Sequence, residues 1–119
     1  MKSHLIKYMD VEAAHCNPLG NAAQQRLHGH SYRIEVLASG VPEEDIGWIV
    51  DFAELKALFR PVYQELDHAY LNQLPGLEED ARLPALTRWI EHRLRGAPAW
   101  LDGVRVSIVG DLCFAPVLL

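Results

Sequence analysis

Cysteine is scarce in this chain: Cys16 and Cys113 are the two present in 119 residues. Two thiols so far apart make no disulfide framework, and they cannot close a thiolate-rich structural zinc site. Basic residues are also short. Eleven Lys and Arg stand against sixteen Asp and Glu, a formal net charge of -5. A nucleic-acid partner is therefore not expected, because phosphate neutralisation needs a cationic surplus. No apolar run approaches the roughly 18 residues of a membrane span. The first residues, Met1 to His4, lack the apolar stretch of a secretion signal. There is no low-complexity tract and no internal repeat. What is there is ordinary globular material, half apolar and 23% charged, long enough for one domain over residues 1–119. The expected setting is cytoplasmic and reducing.

Hydrophobic periodicity divides the chain into elements. Ser3 to Ala14 reads as a strand with Leu5, Met9, Val11 and Ala13 on one face, where Lys7 interrupts the apolar side. A loop from Cys16 to Leu27 is punctuated by Asn17, Pro18, Gly20 and Asn21. His28 to Ser39 alternates cleanly, with Tyr32, Ile34 and Val36 against Arg33 and Glu35. Gly40 to Gly47 is a turn region. Asp51 then caps a helix, with Glu54 at capping-box spacing. Phe52, Leu55, Phe59, Val62 and Leu66 form its inward stripe, and Pro61 is expected to disturb its middle. A second helix spans Leu83 to Arg95, with Leu83, Leu86, Ile90 and Leu94 in phase and Gly96 as its stop. Val104 to Val109 and Cys113 to Leu119 complete the pattern as strands. The order β-β-α-α-β-β predicts an α+β fold, with both helices on one face of a four-stranded antiparallel sheet.

Histidines concentrate around the first loop. His28 and His30 are two apart on a strand, so they share a face. His15 ends the preceding strand and faces them if the strands pair. Gly29 leaves room for close approach. Three imidazoles with a fourth position open is the composition of a catalytic zinc site. An isolated His-x-His also occurs as ordinary strand residues, and the upstream His15 is what favours the metal. Asp67 and His68 form a second constellation. A carboxylate beside an imidazole can fix its tautomer for acid–base work, although a solvated helix end has the same sequence.

Longer motifs carry a resemblance. Ala13-Ala14-His15 is followed by Leu27-His28-Gly29-His30-Ser31-Tyr32. Then come Gly47-Trp48-Ile49-Val50-Asp51-Phe52-Ala53-Glu54-Leu55-Lys56, Leu66-Asp67-His68-Ala69-Tyr70-Leu71-Asn72 and Leu74-Pro75-Gly76-Leu77-Glu78. From about Met9 to Glu78 the chain resembles the 6-pyruvoyl-tetrahydropterin synthase family, and within it the 6-carboxy-tetrahydropterin synthases of the queuosine pathway. The resemblance implies the tunnelling fold, assembled as a homo-oligomer (trimer or hexamer) with active sites at subunit interfaces. It implies Zn2+ held by His15, His28 and His30. It implies a pterin substrate, 7,8-dihydroneopterin triphosphate, that loses triphosphate and, in the queuosine branch, its side chain. Asp67 and His68 would support the family's catalytic cysteine.

The departures fall in one pocket. The family's cysteine lies four residues before the first histidine of the His-Gly-His motif, and Gln24 stands there. Cys16 is a candidate replacement base, or else a small buried hydrophobe beside the metal. The family's pterin-anchoring glutamate corresponds to Ile108, with Asp111 as a possible substitute carboxylate. The Pro-Thr-x-Glu start of the second helix is replaced by Glu79-Asp80-Ala81-Arg82-Leu83-Pro84-Ala85. A kept metal triad beside altered recognition groups leaves three readings. The chain is a lyase of the family type, a diverged enzyme on another pterin or small molecule, or a non-catalytic pterin- or metal-binding oligomer.

Overall fold

The computed structural model describes residues 3–41, 51–96 and 98–115. Four strands form one antiparallel sheet in chain order: β1 (Ser3–His15), β2 (His28–Gly40), β3 (Leu101–Ile108) and β4 (Cys113–Phe114). Two helices, α2 (Phe52–Leu66) and α3 (Leu83–Arg93), lie between β2 and β3 in the chain. A one-turn helix, α1 (Ala22–Gln25), interrupts the loop between β1 and β2. The expected α+β architecture is present.

Alternation decides which face of the sheet is dry. Val11, Tyr32, Ile34, Val36, Val104 and Val106 are each at most 2% exposed. The paired positions Val11 with Tyr32 and Ile34 with Val106 put these side chains on one face. Against them pack Leu55, Phe59, Val62 and Leu66 of α2 and Leu83, Leu86 and Ile90 of α3. Each such side chain contributes about 1.5–3 kcal/mol by leaving water. The opposite face is polar. Arg33 makes two hydrogen bonds to Asp10 directly across the ladder, at 2.8 and 3.0 Å. Its guanidinium also lies 4.5 Å from the Tyr8 ring centre. Arg105 pairs with Glu35 in the same way on the next ladder.

Several local expectations change. The Asp51 side chain caps α2 through the Ala53 N–H at 2.8 Å, without a reciprocal bond from Glu54. The reciprocal box forms on α1 instead, between Asn21 and Gln24. Phe52 is 63% exposed and does not belong to the inward stripe. It occupies the first helical position, one turn before the buried Leu55 and two before Phe59. α2 runs unbroken through Pro61. Pro61 and Ala57 are both exposed, so the carbonyl that Pro61 leaves without its donor faces solvent. α3 ends at Arg93, and Gly96 follows with φ of 84°. β3 starts three residues earlier than the periodicity predicts. β4 comprises Cys113–Phe114. The remainder of the predicted last strand, 116–119, and most of the predicted turn, 42–47, lie outside the described residues, as does the 48–50 part of the motif.

Candidate active site

Strand register builds the histidine cluster. His15 pairs with His28, and Ala13 with His30. All three imidazoles therefore emerge on the helix-covered face at one end of the sheet. Their ring centres are 4.6 Å (His15–His28), 5.1 Å (His15–His30) and 5.0 Å (His28–His30) apart. One nitrogen from each lies within 4.8 Å of the others. At Gly29 an added Cβ would come 3.3 Å from the Ala13 carbonyl oxygen, tighter than most contacts, so glycine eases the pairing.

The polar bookkeeping of the triad fits a cation. Both ring nitrogens of His15 are buried without a hydrogen-bond partner, a costly state unless a ligand supplies the interaction. His28 Nδ1 lies 2.8 Å from the Arg26 carbonyl oxygen. Donation to that carbonyl fixes the tautomer and leaves Nε2 as a free lone pair, the usual outer support of a metal-bound histidine. Burial first, and then the neighbouring His28 and His30, push the His15 pKa down to about 4. The Ala81 backbone and Asp80 pull weakly the other way, without a well-formed hydrogen bond. His30 is lowered by burial and by His28, against an opposing pull from Asp111. Neutral imidazoles are the form that binds a metal ion.

The triad opens into a cavity of about 390 Å³. Leu83 and Pro84 at the start of α3 form one apolar wall, and Ile108 and Leu112 form another. Gln24 and Asp111, both singled out from sequence, line it, together with Asn17, Tyr32 and Arg82. Arg82 is held by two bonds to Asp80, at 2.9 and 3.0 Å. Gln24 is held too: its side-chain oxygen accepts from the Asn21 N–H, and its own N–H donates to Asn21, each at 3.0 Å. A Cβ at Gly20 would lie 2.3 Å from that side-chain oxygen, so glycine is needed for the tuck. Tyr32 was legible only as a core residue. Its position two beyond His30 was the available signal, since i and i+2 share a face. Its buried hydroxyl has no partner, and burial pushes its pKa up to about 12.

The remaining expected residues stand elsewhere. Cys16 does not line the cavity. Its Sγ lies 3.4 Å from the Tyr70 hydroxyl, and its N–H donates to Asn72 at 2.9 Å. Asp67 and His68 do touch, with His68 Nδ1 2.8 Å from Asp67 Oδ2. Asp67 also accepts from the Glu12 N–H at 3.1 Å and the Tyr63 hydroxyl at 3.4 Å. The Glu12 N–H first, and then His68, hold its carboxyl below the usual range. His68 itself adopts φ of 61°, rare for a residue with a Cβ, and its side chain is 79% exposed. It lines a separate depression of about 370 Å³ with Glu12, Gly29, His30 and Ser31. Within one chain Asp67 and His68 thus do not line the cavity of the histidine triad, and the depression beside His68 shares only His30 with it.

Comparison with known proteins places this arrangement. The sequence model of the family described as 6-pyruvoyl tetrahydropterin synthase matches residues 4–108. A 6-carboxy-5,6,7,8-tetrahydropterin synthase from Synechocystis is 37% identical over 78% of this chain and 75% of its own. A dihydroneopterin monophosphate aldolase from Pyrococcus furiosus is 32% identical over 80% of this chain and 77% of its own. The 6-pyruvoyl tetrahydropterin synthase structure from Caenorhabditis elegans shares the fold, with a TM-score of 0.80 at 18% identity, covering 96% of this chain and 94% of that one. The chain belongs to the 6-pyruvoyl tetrahydropterin synthase family and is a lyase of that family.

Proposed function

We propose that this protein is a zinc-dependent lyase of the 6-carboxy-tetrahydropterin synthase type, acting on 7,8-dihydroneopterin triphosphate or a related dihydropterin. The observation that carries the reading is the three-histidine cluster opening into a cavity with two apolar walls and a carboxylate. His15, His28 and His30 would hold the zinc. When bound, zinc supplies Lewis acidity toward hydroxyl oxygens on the substrate side chain.

The chain's own residues account for the rest. Leu83 and Pro84, facing Ile108 and Leu112, suit a flat heterocycle and keep water from its faces. Asp111 takes over the anchoring of the pterin's amino and ring N–H groups in place of the family's glutamate. Gln24 contributes an amide to the cavity wall where the family has its cysteine. Asp67 stays ionised and orients His68 through Nδ1, leaving Nε2 to accept or deliver a proton. Because His68 faces outward, its working partner is the metal cavity of a neighbouring subunit. The active protein is then a homo-oligomer, a trimer or hexamer with sites between chains. Cys16 is the other candidate base, and it would have to release the Tyr70 hydroxyl to serve.

A second reading has a specific support. Gln24 cannot take a proton near neutral pH, and one of the relatives is an aldolase on a dihydroneopterin phosphate. Carbon–carbon cleavage of the pterin side chain with His68 as base needs no cysteine. The test is zinc-loaded protein incubated with 7,8-dihydroneopterin triphosphate and, separately, the monophosphate, with products separated by chromatography and identified by mass. Formation of 6-carboxy-tetrahydropterin supports the first reading. Side-chain cleavage without the carboxylate supports the second. No consumption of either substrate removes both.

A further inference from the structure

Lys7 is the anomaly of β1. The helix-facing positions around it, Leu5, Met9, Val11 and Ala13, are apolar, yet Lys7 shares their side of the strand. The structure gives it company. Lys7, Lys56 and Arg60 together line a pocket of about 280 Å³ whose other walls are Met9 and Tyr63. Lys56, Arg60 and Tyr63 are at i, i+4 and i+7 on α2, one face of the helix. Among the described residues no acid lines this pocket.

Arg33, Arg82, Arg93 and Arg105 are each bound to a carboxylate. Lys7, Lys56 and Arg60 make no ion pair and no side-chain hydrogen bond among the described residues. Arg26, Arg88 and Arg95 also make no ion pair among the described residues, so what distinguishes Lys7, Lys56 and Arg60 is that they share one hollow. In a chain of net charge -5, three uncompensated cations around one hollow repel one another. An anion between them removes that repulsion and accepts their N–H donors.

The pocket is also wired to the acid–base pair. The Tyr63 hydroxyl on its wall donates to Asp67 Oδ2 at 3.4 Å, and the same oxygen lies 2.8 Å from His68 Nδ1. We infer that Lys7, Lys56 and Arg60 form an oxyanion site for a phosphoryl group. Tyr63 couples its occupancy to the Asp67–His68 pair. Two sources share this chemistry: the phosphate chain of the substrate and free inorganic phosphates. Identification with the substrate's phosphate chain rests on the function proposed above, whereas the oxyanion site rests on these side chains alone.

All three cations are exposed, so their replacement leaves the core untouched. Inorganic tripolyphosphate is titrated calorimetrically into the full chain carrying His28→Ala, a background in which chelation at the triad cannot contribute. Adding Lys56→Gln with Arg60→Gln should weaken binding at least about tenfold, the scale of losing charge-assisted hydrogen bonds. Adding Arg88→Gln with Arg95→Gln removes the same charge elsewhere and should change little. Equal loss in both pairs, or none in the first, overturns the site. A second arm compares 7,8-dihydroneopterin triphosphate with 7,8-dihydroneopterin on the zinc-loaded, otherwise native chain. If the phosphate chain occupies the pocket, the preference for the triphosphate collapses with Lys56→Gln and Arg60→Gln only. An unchanged preference overturns the substrate assignment. Failure of both pterins to bind the native chain would count against the proposed function, while the tripolyphosphate arm still decides the oxyanion site.

Discussion

The histidine triad and the candidate acid–base groups are built in opposite ways. His15, His28 and His30 sit on two paired strands, and a ladder of backbone hydrogen bonds sets their spacing. They converge inside one chain and are partly or wholly buried. Gln24, Cys16, Asp67 and His68 sit on a one-turn helix, a strand end and a helix end. They are held one by one through single contacts: Gln24 to Asn21, Cys16 to Tyr70, and His68 to Asp67. They do not converge. A sheet can specify a metal site from a single subunit, because register leaves it little freedom. Groups on loops and ends lack that constraint, and under the function proposed above a second subunit completes their site.

That contrast can be broken from the metal side first. His28→Ala removes a ligand and the tautomer lock on Arg26, and zinc affinity should fall by well over about 100-fold, since disturbing outer support alone costs 10–100-fold. Equilibrium dialysis with metal analysis checks it. Asp67→Asn should leave zinc content unchanged and lower turnover by roughly 100- to 10,000-fold, the usual contribution of a positioned acid or base. Mixing inactive His28→Ala subunits with inactive His68→Ala subunits should restore part of the activity in re-formed oligomers. Recovery of none, with mixed oligomers shown to form, would return His68 to its own chain's cavity.

Acid sharpens the comparison without mutation. The folded chain holds His15 near a pKa of about 4, against 6.5 unperturbed. Below 6.5 the unfolded chain takes up this proton before the folded one does. The metal-free protein should therefore lose stability as pH falls from 6.5 toward 4, with little effect of this group above 6.5. Thermal unfolding at stepped pH reads it, and a midpoint flat across that window would contradict the buried, unpartnered His15. The smallest effect concerns the Gln24 lock. Gly20→Ala would drive a methyl into the Gln24 side chain and should cost about 1 kcal/mol, the size of a lost helix cap, with zinc binding retained. Denaturant midpoints give the value.

The triad was legible because period-two alternation encodes facing, and facing plus pairing encodes convergence. The sheet and the two long helices were legible for the same reason. Phe52 misled because its spacing fits the helical stripe, while its place in the first turn leaves it beyond the sheet's cover. The α1 turn escaped because its box uses Asn21 and Gln24 within a stretch rich in turn residues. Asp67 and His68 were visible as a pair, but their outward aim was not. It depends on bonds from His68 N–H to the Glu12 carbonyl and from Ala14 N–H to the Ala69 carbonyl, contacts more than fifty residues apart in the chain. Lys7 broke the alternation in plain sight, and only the packing of α2 beside it supplies a reason.

Those same long-range bonds lay His68 to Tyr70 alongside the end of β1, where Ala14 and Tyr70 form an isolated parallel bridge. The outer margin of β1 is thereby closed from Glu12 onward, while among the described residues no strand pairs with it nearer the N-terminus. Any strand that joins this margin meets a fixed stop at Glu12 and cannot slide past it. The stop works as a ruler. It sets the phase in which two sheets can be joined, and it denies the margin the uninterrupted length along which fibrils propagate.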